Sequence, residues 1–165
     1  MDAIFTRTSV RSYEERPVEE AKIERILRAA MAAPSAVNQQ HWEFYVVTDQ
    51  AVLKELSQAS PYAAMTAHAP VAIVVVGRTQ GLSAPQMRDY DLAIATENML
   101  LEIEAQGLGG VMLGIAPHQE RMDKVAAALG LPEHLTVFTV VPFGYPQHKS
   151  PQRDRFDPQR VHYLR

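Results

Sequence analysis

Pro70-Val71-Ala72-Ile73-Val74-Val75-Val76 decides how this chain folds. It is apolar along its length and lacks the polar alternation of a half-exposed strand, so it reads as a central strand covered on both faces. Such a strand needs paired neighbours and helices on either side. The flanking sequence supplies both. Residues 42–47, aromatic and β-branched, form a second strand. Asp49 caps a helix that carries Val52, Leu53 and Leu56. Further upstream, Pro17 followed by Glu19 and Glu20 opens a helix, because proline fits the first turn and carboxylates suit the positive end of the dipole. Ile23, Ile26, Leu27 and Ala30 share one face of it, and Pro34 ends it.

Downstream, residues 77–88 are polar and punctuated by Gly81 and Pro85, which predicts a loop. Residues 91–106 carry the longest helical pattern, with Leu92, Ala95, Met99, Leu100 and Ile103. A helix apolar over so much of its surface lies in a core or at a subunit interface. Gly107-Leu108-Gly109-Gly110 closes it and leads to a short strand over 111–113. Pro117 opens another helix, with Met122, Val125 and Leu129, which Gly130 ends. Residues 135–141 form the last clear strand. Alternating helices and strands in this order predict a sheet with helices packed on its faces.

At 165 residues the chain suits one domain, spanning 1–165, with 47% hydrophobic and 21% charged residues. A net charge of −3 leaves no nucleic-acid footprint. The absence of cysteine excludes disulfides, thiolate metal sites and a cysteine nucleophile, and is compatible with the cytosol. The six histidines show no metal-binding spacing, so no metal site is expected. The start of the chain lacks a signal-peptide pattern, and its longest apolar run is too short to cross a bilayer. The expectation is a soluble, cytoplasmic protein with no membrane or nucleic-acid partner.

Two short basic clusters stand at opposite ends, Arg7-Thr8-Ser9-Val10-Arg11 and Arg153-Asp154-Arg155-Phe156-Asp157. If residues 7–11 are extended, Arg7, Ser9 and Arg11 fall on one face and present cation, hydroxyl, cation. Each cluster taken alone has two readings, a solvated surface pair or half of a clamp for an anionic cofactor. A guanidinium fork suits a phosphate or a conjugated carbonyl edge. A third segment, Ala33-Pro34-Ser35-Ala36-Val37-Asn38-Gln39-Gln40-His41-Trp42-Glu43-Phe44, favours the clamp. The N-terminal Arg-x-Ser-x-Arg-x-Tyr, the Pro-Ser-x-x-Asn-x-Gln-x-Trp-x-Phe stretch and the closing Gly-Tyr-Pro…Asp-Arg-Phe-Asp-Pro-x-x-Val-His-Tyr resemble the FMN-dependent nitroreductase family. That resemblance runs through nearly the whole chain. His41 departs from it, standing where the family often has proline.

The resemblance implies an α+β fold, α/β-like and three-layered, with a central mixed β-sheet flanked by helices, assembled as an intertwined homodimer with FMN at the interface. It implies that Arg7 and Arg155 bind the FMN phosphate with Arg153 assisting, and that Ser9 hydrogen-bonds the phosphate or ribityl chain. Arg11 matches the family's basic residue near the pyrimidine edge of the flavin, where negative charge collects on reduction. Pro34, Ser35 and Asn38 would line the ring, with Gln40 a further candidate, and the flavin would lie beside Met112, Leu113 and Gly114. The flavin carries the chemistry, so no catalytic side chain is expected. The implied reaction is ping-pong: NADH or NADPH reduces FMN, and a nitroaromatic, quinone or related acceptor then reoxidises it. The short 77–88 loop leaves no room for a large lid, which predicts an open site. Other readings are a non-catalytic FMN carrier or sensor, a flavin-modifying enzyme, and a domain binding a different phosphate ligand.

Three other features have local readings. The glycines at 107–110 follow a helix where a dinucleotide fingerprint follows a strand, so they read as a helix end and tight turn. Asp91, Glu97 and Asn98 read as the polar edge of a buried helix. Residues 145–165 hold too few core-forming side chains to fold alone. They are either a frayed terminus or an arm wrapped on a partner, and the resemblance favours the arm.

Overall fold

The computed structural model describes residues 2–165. Its centre is β2 (Val71–Arg78), which lies between β1 (Trp42–Val47) and β5 (Leu135–Gly144). Two short strands, β3 (Gly109–Gly110) and β4 (Leu113–Gly114), pair with the far side of β5. All of these ladders are antiparallel, and the one parallel pairing among the described residues is the bridge between Ser9 and Gly110.

Strand periodicity sends alternate β2 side chains to two separate cores. Val71, Ile73 and Val75 pack with Ile26 of α2 (Glu20–Met31), with Leu92, Met99 and Ile103 of α4 (Arg88–Ala105), and with Phe143. Ala72, Val74 and Val76 face Leu53 and Leu56 of α3 (Gln50–Leu56), Val125 of α5 (Gln119–Leu129), and Ile115. The sheet is thus the middle of three layers. Each branched side chain buried on it stabilises the fold by about 1.5–3 kcal/mol. Trp42 and Phe44 belong to the first of these cores.

Two local signals behave as their chemistry dictates, whereas the helices expected to open at Pro17 and Pro117 begin at Glu20 and Gln119, leaving both prolines ahead of the N-caps. Asp49 Oδ1 accepts from the N–H groups of Ala51 (2.8 Å) and Val52 (3.1 Å), capping α3. Gly130 closes α5 at φ 60°, a left-handed conformation glycine adopts without strain. β2 runs two residues past the apolar stretch because Gly77 leaves space for His41; a Cβ there would stand 2.9 Å from His41 Nδ1. α4 begins at Arg88, ahead of the expected Asp91, because a 3-10 turn (Pro85–Met87) feeds directly into it.

Two strand expectations change. The strand expected over 111–113 is instead the pair β3 and β4 on either side of Val111-Met112. Val10 inserts against Gly109, whose added Cβ would stand 2.8 Å from Val10 Cβ, so only the glycines can approach this closely. β5 continues past Val141 through Pro142 to Gly144. The Pro142 carbonyl accepts from the Val111 N–H at 3.3 Å and lies 3.0 Å from the Tyr13 hydroxyl. A four-residue helix, α1 (Ala3–Thr6), packs on α4 and had no clear signal in the sequence.

After β5, Tyr145 is clasped between cations, with Arg16 3.7 Å and Lys22 4.9 Å from its ring centroid. Its hydroxyl donates to the Glu19 carboxylate at 2.8 Å. Residues 147–165 are mostly exposed and contain one 3-10 turn (Pro158–Arg160). Among the described residues no helix is long and apolar enough to cross a membrane.

Candidate cofactor-binding site

Tyr13 organises the N-terminal motif. Its ring is buried, and its hydroxyl lies 2.9 Å from the Val10 carbonyl and 3.0 Å from that of Pro142. Burial pushes the phenol pKa up, and the Arg11 charge opposes this only in part, so the hydroxyl remains a donor. The Val10 N–H donates to the Gly110 carbonyl at 3.0 Å. Residues 9–13 are thereby fastened to the end of the sheet, with Arg7 just past α1 in extended conformation.

This placement directs Arg7, Ser9 and Arg11 into one cavity of about 290 Å³. Arg153 and Arg155 line the same cavity from the C-terminal tail. Four guanidinium groups from opposite ends of the chain therefore converge. Arg7 Nε is steadied by Glu97 Oε1 of α4 at 3.5 Å. Arg155 has a single long contact, 3.4 Å to Gln152 Oε1, while Arg11 and Arg153 have no hydrogen bond or ion pair among the described residues. Thr8 also lines this cavity, and its Oγ1 is buried without a partner. Excess positive charge and an orphaned hydroxyl together fit a polyoxygen anion such as a phosphate.

Arg11 also borders a second cavity, of about 360 Å³, formed by Val111, Met112, Leu113 and Gly114 with Tyr62 and Met65. Backbone, thioethers and an aromatic ring make a surface suited to a flat conjugated ligand. Gly114 has its carbonyl held by Arg121 Nη1 at 2.7 Å. Tyr62 and Met65 were not singled out in the sequence. They lie in an alanine-rich stretch with neither motif nor period to mark them.

Pro34, Ser35, Asn38 and Gln40 line neither of these cavities. They form an exposed loop in which Val37, Asn38 and Gln40 have φ of 46°, 55° and 41°. Non-glycine residues resist this region, and a β-branched valine most of all. The loop closes on itself: Ser35 Oγ accepts from the Gln40 N–H at 3.1 Å, and Gln40 Nε2 donates to Asn38 Oδ1 at 2.7 Å. Asp91 holds it down. Its carboxylate accepts from the Ala36 N–H at 3.0 Å and from Gln39 Nε2 at 2.7 Å. Gln39 in turn bonds both backbone groups of Ala84.

Asp91 is thus a buried hub, 2% exposed, rather than the polar edge expected from the sequence. Helical periodicity placed it correctly on α4 but said nothing of its partners 52 and 55 residues away. His41 is also fully buried, with Nε2 3.4 Å from Asp91 Oδ2. Burial lowers its pKa, assisted by the Arg88 and Arg78 charges, and Asp91 opposes the shift only in part. The ring is accordingly held neutral.

The sequence model of the Nitroreductase family matches residues 4–61 and 58–145. A protein of Archaeoglobus fulgidus, provisionally named an NADH dehydrogenase/NAD(P)H nitroreductase, is 43% identical over 163 residues, covering 96% of this chain and 94% of that one. A crystal structure from Clostridium acetobutylicum, provisionally named an NADH oxidase, superposes with a TM-score of 0.96 at 41% identity over 99% of both chains. An FMN-dependent nitroreductase from Clostridium difficile superposes with a TM-score of 0.91 at 25% identity, over 99% of this chain and 98% of its own. On the family-model match and these likenesses, the chain belongs to the nitroreductase family.

Proposed function

We propose that this chain is an NAD(P)H-dependent flavin oxidoreductase that binds FMN across the two cavities that Arg11 borders. The convergence of Arg7, Arg11, Arg153 and Arg155 on one cavity carries the reading. Arg7, Arg153 and Arg155 would hold the phosphate, with Ser9 and the unpartnered Thr8 hydroxyl as additional donors. Arg11, common to both cavities, would set a cation against the ring. Met112, Leu113 and Gly114 would form the floor beneath it. Bound FMN would supply the redox chemistry of a ping-pong transfer from NADH or NADPH to a nitroaromatic, quinone or related acceptor. The protein's share is to bind, to orient and to place positive charge where negative charge grows.

Within one chain, the loop at 34–40 stands apart from the arginine cavity. The proposed site is therefore completed by a second copy, whose Pro34, Ser35, Asn38 and Gln40 would face the flavin. Exposed apolar side chains support this assembly: Ile4 and Phe5 on α1, Tyr90 and Ile94 on α4, and Val37 on the loop. In this reading the tail at 145–165 is an arm against the partner, within a single domain covering 1–165. The cytoplasm, where NADH and NADPH are supplied, is its setting.

Visible absorption tests the reading. After FMN addition and desalting, the protein should retain flavin bands, and these should bleach under anaerobic NADH or NADPH. Flavin retained without bleaching would favour a carrier or sensor. A colourless protein would overturn the assignment.

A further inference from the structure

Glu104 occupies the last turn of α4 and is 2% exposed. Helix carbonyls disfavour a carboxylate at that end, and burial disfavours it again unless it is paired. The partner is Lys149, whose Nζ donates to Glu104 Oε1. Lys149 begins the segment that leads to Arg153 and Arg155. Before it, the tail is tied down by Tyr145 and by the Gln147 N–H, which donates to the Ser12 carbonyl at 3.1 Å. Beyond it, every hydrogen bond and ion pair among the described residues stays inside the tail. Examples are Phe156 N–H to Asp154 Oδ1 at 2.9 Å and Arg160 Nε to Asp157 Oδ2 at 3.2 Å.

The Lys149–Glu104 pair is therefore the last long-range polar anchor before the arginine cavity. Arg153 lies four residues further along the chain, a span of at most about 14 Å in extended chain. A tether of that length keeps a guanidinium near its target, whereas a chain released farther back samples a larger volume and binds less well. We infer that Lys149 and Glu104 are positioning residues, a clasp between the tail and buried Glu104 of α4 that holds the tail's arginines at the phosphate end of the site. The inference rests on the FMN reading above.

Riboflavin lacks only the phosphate of FMN, so paired affinities isolate the clasp. Affinities for both ligands would be measured by flavin fluorescence quenching at constant ionic strength, on wild type, Lys149→Met, Lys149→Arg and the double variant Glu104→Gln/Lys149→Met. The double variant removes the uncompensated buried charge and so keeps α4 intact. Wild type should prefer FMN. Lys149→Met and the double variant should lose roughly ten- to a hundredfold of that preference, the scale of one charge-assisted contact, with riboflavin affinity unchanged. Lys149→Arg should keep it. A preference retained in the double variant overturns the clasp, as does an equal loss for both ligands. A wild type with no preference overturns the phosphate clamp and the clasp together.

Discussion

Arg7 and Arg155 reach one cavity from opposite ends of the chain, and each contributes separately to the charge it holds. Arg7→Ala and Arg155→Ala should each weaken FMN binding by about 1.5–3 kcal/mol, measured by fluorescence titration; unchanged affinity in both would remove the clamp. His41 makes a different prediction. Its folded-state pKa lies below the ordinary value of 6.5 because burial disfavours the imidazolium. As pH falls through 6.5, the unfolded chain takes up a proton that the folded chain refuses, so stability drops; above 6.5 the residue adds no pH dependence. The melting temperature of wild type should therefore fall more steeply than that of His41→Gln between about pH 7.5 and pH 5.5. Equal slopes would show that His41 titrates normally. The identity of His41 was legible in the sequence as a departure from the family pattern, but its burial against Asp91 was not, because those partners lie 50 residues apart.

At the scale of elements, β3 decides where the N-terminal motif sits. Gly109 and Gly110 permit the approach of Val10 and the Ser9 bridge. Gly109→Ala should push Val10 away, destabilise the protein by about 1–3 kcal/mol through overpacking, and weaken FMN binding as Ser9 and Arg11 shift. Chemical denaturation and flavin titration check the two effects, and adding Val10→Ala should recover part of each. Full stability and affinity in Gly109→Ala would mean that this contact does not set the site. The main strands and helices were readable because their signals are local: the apolar run of β2, the Asp49 cap, the glycine after α5. The extents of β3, β4 and the end of β5 were not. Two-residue strands have no period, and the proline in β5 reads as a terminator until its carbonyl is seen bonded on the sheet.

For the whole molecule, the apolar faces of α1 and α4 should lie against a second copy. Ile94→Glu, at a position 42% exposed in one chain, should shift the protein toward monomer in light scattering and lower FMN affinity along with it. A dimer that persists with full affinity would place the interface elsewhere. The sequence by itself determined the layer order, the central position of β2 and the residue types of an anion-binding pair of clusters, because apolar periodicity, caps and charge are properties of adjacent residues. Tertiary structure alone decided that the two arginine clusters meet, that Asp91 fastens the loop at 34–40, and that Lys149 reaches Glu104. Those pairings depend on how the sheet brings distant segments together, and no local preference encodes a cavity shared by residues 7 and 155.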